Sequence, residues 1–439
     1  MTSEGGTGPW ARAGAGIRVT RERLQPLGTV GGFIALGLAV FALIPLWAWS
    51  RRGALAAGAF VMPGIVALVH LYVIGWGTAV ALGALQQLSN VVFQPRNPVA
   101  PRYSIISLAL FGLGLVPFFT GLITLRYALT GVGGTLLFAA FAVTAGVVVR
   151  SVRTGERASV VTMFVAPAVL SLLGVAVVGA LIAFHRVTGL LGDTWTKALA
   201  SHLYLGPLGW FGLLIPGISY ELAPFFGLTR GGEEKGLGRY PGWVAGLLLA
   251  GLVGGLVLAL AGRFRSWALL PLASGYLLYV YDLRGIYRAR PLIRRTATLT
   301  GVRSANAYLV AAALMLAAGG FVPGLWGNGR WLTTLGWLAL AGWLSCNVVG
   351  YLHRILPFVA WHNRYWGKEK ELIRTRFQDM VDQRLGRMGF YVYNAGVVLV
   401  AAGLWAAQPV REWLVAVGIL FVALGSWVLV FNLGRVYVR

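Results

Sequence analysis

The chain has 439 residues, 58% of them hydrophobic and 11% charged, with a mean hydropathy of +0.74, which excludes a water-soluble protein built around one core. The formal charge of +24 does not mark a nucleic-acid binder, because the basic residues are scattered through short loops rather than gathered on a polar domain. A single cysteine, Cys346, excludes an intrachain disulfide and any all-thiolate zinc or iron–sulfur centre held by this chain alone.

Residues 1–26 are Gly-rich and basic and lack the order of a signal peptide, so a cytoplasmic N-terminal segment is expected there, ahead of one transmembrane domain over 27–439. About 20 apolar residues cross a hydrocarbon layer of roughly 30 Å, and runs of that kind number twelve: 28–49, 58–88, 103–125, 128–149, 161–185, 198–228, 242–262, 267–283, 304–325, 331–361, 388–408 and 412–433. No strand-like alternation interrupts them, and backbone in lipid must satisfy its own hydrogen bonds, so the expected class is an all-α integral membrane protein with twelve transmembrane helices. With the N-terminus inside, cytoplasmic segments hold 27 Lys/Arg and external loops 9, Arg354 lying within a helix. The positive-inside rule then places both termini in the cytoplasm of a multi-pass protein of the cytoplasmic membrane. The basic loop from Arg284 to Arg303 suits contact with anionic membrane lipid. A charged cytoplasmic loop is expected at 363–387, where Lys368, Glu369, Lys370, Glu371, Arg374 and Arg376 alternate as on a solvated helical face.

The second, sixth and tenth runs are unusually long, and each carries the same phrase. Gly75-Trp76 is followed by Gly83, Gly209-Trp210 by Gly217, and Gly342-Trp343 by Gly350, each second glycine seven residues after the Trp. Fourteen residues after the Trp stand Asn90, Pro224 and Pro357. Repetition at fixed offsets points to one hairpin copied three times, hence three pseudo-repeats of four helices about a pseudo-threefold axis. Eleven residues after each Trp stand Gln87, Glu221 and Arg354, an amide, an acid and a base at one depth. Charges within apolar spans usually pair. Two arrangements are open: a Glu221–Arg354 ion pair relayed by Gln87 and Tyr220, or separate snorkelling to the cytoplasmic surface.

Five histidines are present, and an intramembrane histidine is a functional candidate because its burial is costly. His70 stands six residues before Trp76, and neutral imidazole is a normal axial ligand of haem iron. Gly75 and Gly83 would admit a flat macrocycle or a neighbouring helix. His202 repeats the tripeptide His-Leu-Tyr but stands eight residues before Trp210, with Tyr204 at minus six. Two residues turn an undistorted helix by roughly 200°, so equivalence with His70 requires a kink at Gly206-Pro207. His353 stands ten residues after Trp343, about 24 Å from the depth of His70, and cannot share its iron. Position 337, the counterpart of His70, is Trp, and His353 reads as structural or headgroup-contacting. His185 and His362 end their spans and read as interfacial.

Twelve helices in three fours, cytoplasmic termini, and a histidine ahead of Gly-Trp on the second helix resemble subunit I of the haem-copper oxidase superfamily. The phrases from His70-Leu71-Tyr72 to Gly83, from His202-Leu203-Tyr204 to Pro224, and from Gly350 through His353 and Pro357 to Phe358 are most similar to its divergent, NnrS-like branch. The resemblance implies b-type haem, with His70 as a ligand of the haem iron and His202 as a ligand of haem iron or of copper, copper being open through His202 and His185. The seventh run lacks histidine, as does the outer half of the tenth, so the oxygen-reducing binuclear centre of the oxidases is absent from the pattern. The expected function is a haem b-binding membrane protein in redox or electron-transfer chemistry, or in nitric oxide or small-gas binding, beside an electron donor or respiratory-chain subunits. The alternative is a cofactor-free transporter or an assembly partner of a respiratory complex.

Overall fold

The computed structural model describes residues 20–155, 160–226, 238–263, 265–288, 296–365 and 376–438. Twelve long helices follow in order: α1 (Leu27–Ser50), α2 (Pro63–Val92), α3 (Pro101–Thr124), α4 (Tyr127–Arg153), α5 (Thr162–Thr188), α6 (Gly192–Ala223), α7 (Pro241–Leu260), α8 (Leu270–Arg288), α9 (Ala297–Phe321), α10 (Gly329–Tyr365), α11 (Gln383–Gly403) and α12 (Val410–Val438). Eleven of them are long and apolar enough to cross a membrane, the exception being α8, whose end carries Asp282, Arg284 and Arg288. The described residues contain no strand, only one isolated bridge between Pro95 and Gly155.

The ends of the expected runs shift where local chemistry demands it. Proline suits a first helical turn, where its missing N–H has no partner to lose, and α2, α3 and α7 begin at Pro63, Pro101 and Pro241. Residues 363–365 and 383–387, expected in the charged loop, continue α10 and open α11. The cluster from Lys368 to Arg374 lies outside the described residues, as do residues 1–19 of the N-terminal segment.

The three longest helices are α2, α6 and α10, the carriers of the repeated phrase, at 30, 32 and 37 residues. Each is interrupted by a π-helical stretch, at Leu71–Thr78, Tyr204–Phe211 and Leu338–Leu344, and each stretch contains its Gly-Trp pair. A π-turn is rare and widens the helix by one residue per turn. Here it belongs to the repeat, since only the second stretch contains a proline, Pro207.

The glycines of the phrase form a packing seam with the preceding helix. A Cβ on Gly75 would lie 2.8 Å from Val40 of α1, one on Gly209 2.6 Å from Ser171 of α5, and one on Gly342 2.6 Å from Tyr308 of α9. Seven residues after each Trp the seam repeats, with Gly83 against Phe33, Gly217 against Phe164 and Gly350 against the Thr298 and Val302 backbone. The space at Gly75 and Gly83 is therefore filled by α1. The tryptophans between the glycines are buried.

The residue after each Trp faces the other two repeats. A Cβ on Gly77 would sit 2.9 Å from the Phe211 ring and 3.1 Å from Leu344, so these three residues meet where α2, α6 and α10 converge. Nearby, the Trp210 indole donates to Thr78 Oγ1 at 3.0 Å, tying the second repeat to the first. The outer helices close a ring, with α12 packed against α1.

Both termini lie on one face of the bundle. Asn363 Oδ1 accepts the Leu27 N–H at 3.2 Å and its Nδ2 donates to the Gln25 carbonyl at 3.2 Å. Arg364 donates to the Tyr437 carbonyl at 2.9 Å, and the Tyr437 hydroxyl donates to the Gly31 carbonyl at 2.6 Å. Toward this terminal face a buried network joins three helices, α2, α3 and α4. Gln86 donates to Thr144 at 3.0 Å, and Ser104 donates to Gln86 at 3.0 Å. Ser107 and Thr144 share a further bond of 3.0 Å. In lipid, polar side chains between helices need such partners.

Candidate functional site

His70 and His202 come together. Their ring centroids lie 6.1 Å apart with planes 30° from parallel, toward the face opposite the termini. Phe118 of α3 flanks His70, with ring centroids 5.8 Å apart, and Gly179 of α5 abuts His202, where a Cβ would be 3.0 Å from Cε1. The pair thus sits between α2 and α6, with α3 on one side and α5 on the other.

The way they meet corrects the expected kink. Pro207 does not return His202 to the position equivalent to His70; Tyr204 holds that position and packs on Gly255 of α7. The three residues at minus six follow one rule. His70 lies against α3, Tyr204 against α7, and Trp337 donates its indole N–H to the Val397 carbonyl of α11 at 3.1 Å. Each therefore points to the next helix of its own repeat. Equivalent positions on α2, α6 and α10 thus point to different neighbours and do not face one another. Two imidazoles from neighbouring repeats can face only from non-equivalent positions, which the offset of two residues and the wide π-turns provide.

One nitrogen of His70 is committed: Nδ1 is bonded to the Val66 carbonyl at 2.8 Å, which as a donor leaves Nε2 with its lone pair. Such a backbone bond is the usual means of orienting a ligand imidazole. Nδ1 of His202 is buried with no hydrogen-bond partner. The Val175 backbone lies beside the His202 ring without completing a bond to Nδ1, and two imidazoles thus face one another from α2 and α6, a donor set that fits a metal ion or haem iron.

The remaining histidines stand apart from this pair. His185 lies six residues beyond Gly179 on α5, roughly 9 Å along the helix, and its Nδ1 accepts the Leu191 N–H at 3.1 Å. His353 is 1% exposed, bonded through Nδ1 to the Val349 carbonyl at 2.8 Å and through Nε2 to Asn432 Nδ2 at 3.3 Å. It joins α10 to α12 near the terminal face. His362 is buried against Phe358, with ring centroids 4.1 Å apart. Among the described residues no three His, Cys, Asp or Glu side chains form a metal-binding group. Cys346 is buried and donates to Asn394 Oδ1 at 3.4 Å.

Gln87, Glu221 and Arg354 are buried but go to different neighbours. Gln87 Oε1 accepts the Gln25 N–H at 2.9 Å. Glu221 lines a small apolar cavity with Leu85, Ser89 and Val165. Arg354 lies beside Tyr287 and under the Phe377 ring, its guanidinium carbon 5.8 Å from the ring centre. No ion pair within 4.0 Å joins Glu221 to Arg354; among the described residues that contact is made by Arg435 and Asp382, at 3.8 Å. A polar group missed in the sequence adjoins Arg354: Tyr287 of α8, whose hydroxyl meets that of Tyr351, with Ser219 and Tyr279 next to Tyr351. Tyr279 and Tyr287, eight apart on α8, share a helix face, a spacing that could have exposed them.

Fold and site define an all-helical, multi-pass membrane protein in lipid contact, with two imidazoles opposed between its first and second repeats. Comparison with known protein families and with curated proteins gives no match.

Proposed function

We propose that this protein is a haem b-binding relative of haem-copper oxidase subunit I, in which His70 and His202 would hold the iron. The carrying observation is the 6.1 Å ring separation. Two imidazoles on one metal place their nitrogens about 4 Å apart, and their ring centres about 2 Å further. The anchored Nδ1 of His70 supports the same reading. Held by these two residues, haem would supply one-electron exchange or a binding place for nitric oxide or another small gas. An electron donor or respiratory-chain subunits then become its partners. The chain's own residues orient and enclose: Val66 fixes the His70 ring, and Phe118 and Gly179 set the walls.

The proposal includes twelve crossings. Both termini share a face, which requires an even number, so α8 joins the eleven strongly apolar helices. The Lys/Arg bias makes that face cytoplasmic in a cytoplasmic membrane.

The test is an optical spectrum with pyridine haemochrome assay on protein purified after haem-replete expression. A Soret band present in the wild type and in His353→Ala, but lost in His70→Ala and His202→Ala, is expected. Carbon monoxide addition then reports an open axial position. Colourless wild-type protein sinks the haem reading in favour of a cofactor-free transporter or assembly partner, and metal analysis of the same sample decides whether copper takes the site instead.

A further inference from the structure

Arg354 is 4% exposed, yet its Nη1 has no hydrogen-bond partner and no described carboxylate lies within 4.0 Å of the guanidinium. A buried charge without a partner is costly, and a cation–π contact with the Phe377 ring at 5.8 Å offsets only part of that cost. Among the described residues no anion balances this side chain.

What surrounds it is rich in donors. The Tyr287 and Tyr351 hydroxyls lie 3.4 Å apart beside Arg354. Behind them Ser219 faces Tyr279 and Tyr351, and both the Ser219 and Tyr279 hydroxyls are buried without a completed hydrogen bond. The nearest acid on α8, Asp282, is already engaged, accepting from the Tyr220 hydroxyl at 3.1 Å, the Arg239 N–H at 2.7 Å and the Tyr240 N–H at 2.9 Å. Arg354 and Tyr351, three apart on α10, share a helix face, so α8 and α10 bring a guanidinium fork and the Tyr287 and Tyr351 hydroxyls together toward the terminal face, with Ser219 of α6 and Tyr279 behind Tyr351. A fork of N–H donors with converging O–H groups matches the oxygens of a tetrahedral oxyanion, and arginine is the side chain suited to bind it bidentately.

We propose that Arg354, Tyr287 and Tyr351, backed by Ser219 and Tyr279, bind a phosphate-type oxyanion, independently of the His70–His202 site. Its two sources are free inorganic phosphate and the phosphodiester of an anionic lipid headgroup.

The full chain, purified and delipidated in a maltoside detergent, is unfolded thermally with inorganic phosphate against chloride of equal ionic strength. A parallel series adds phosphatidylglycerol or phosphatidylcholine in mixed micelles. A saturable rise of the midpoint by several degrees with phosphate identifies the free anion; a rise with phosphatidylglycerol alone identifies the headgroup. Arg354→Gln abolishes the response, and Arg354→Lys, which keeps the charge but loses the fork, weakens it. Because Arg354 variants can fail to fold, the Tyr287→Phe/Tyr351→Phe pair decides in that event, raising the half-saturating concentration about tenfold. No specific response to either oxyanion, or an unchanged response in the tyrosine pair, overturns the proposal and leaves buried water as the occupant.

Discussion

His70 and His202 face one another, ring centres 6.1 Å apart, from positions that do not correspond in their two repeats. The meeting depends on the two-residue offset of His202 relative to its Trp, and a side chain that crowds one ring should disturb it without removing either imidazole. Gly179 is such a place, since a Cβ there lies 3.0 Å from His202 Cε1. Gly179→Val is expected to displace the imidazole and to shift or diminish the Soret band. Gly174→Ala, whose Cβ meets only Leu205 at 3.2 Å, should leave the spectrum unchanged. Equal spectra for the two variants would show that the ring position is irrelevant to binding.

The indole of Trp210 should lose its partner in Thr78→Val. Hydrogen bonds between membrane helices average about 0.6 kcal/mol, and an unpaired buried donor raises the loss to about 1–3 kcal/mol. Thermal unfolding in detergent should show a lower midpoint for Thr78→Val and a near-normal one for Thr78→Ser, which keeps the acceptor. If serine is as damaging as valine, the methyl group and not the bond matters.

Where the three repeats converge, Gly77→Ala should overpack against Phe211 and Leu344, at a cost of about 1–3 kcal/mol. Phe211→Leu in the same chain makes room. A double-mutant cycle should give a favourable coupling above about 0.5 kcal/mol, and strict additivity would place the three side chains apart.

How much of this could be read from residues alone divides by physical cause. Hydropathy located the helices, eleven of which are long and apolar enough to cross a membrane, because lipid imposes length and composition directly on the sequence. The repeated phrase located α2, α6 and α10, but its meaning as a seam against α1, α5 and α9 needed the structure, since a glycine does not announce what approaches it. His70 and His202 were visible as residue types at unusual depth. Their confrontation was not, because a regular helix of 3.6 residues per turn was the only ruler at hand, and all three carriers contain π-turns. Arg354 was visible too, with two arrangements open, an ion pair with Glu221 or separate snorkelling; its neighbours Tyr287 and Phe377 were not, because depth does not encode direction around the helix.

At the terminal face Asp382 caps α11, its carboxylate accepting the Arg384 N–H at 2.8 Å and the Leu385 N–H at 3.0 Å. The Leu385 bond above all, then that from Arg384 and the charge of Arg435, hold its pKa below the ordinary 3.8. A depressed carboxylate contributes stability above its unfolded pKa and loses it as pH falls through the folded value. Asp382→Ala should therefore cost about 1 kcal/mol at neutral pH, with the difference from wild type shrinking below about pH 4. Asp382→Asn, which keeps a capping oxygen, should match wild type at neutral pH and flatten the acid limb of the unfolding midpoint. An acid limb identical in all three proteins would show that the cap does not respond to protonation.

The hydrogen bonds joining Gln25 and Leu27 to Asn363, and Tyr437 to Gly31 and Arg364, bear on how the chain is made. Synthesis delivers α1 to the membrane first, but the groups that hold its beginning come from the ends of α10 and α12. α2 covers part of α1 early through the Gly75 and Gly83 seam, but until α10 and α12 are made the beginning of α1 waits in lipid with one flank uncovered.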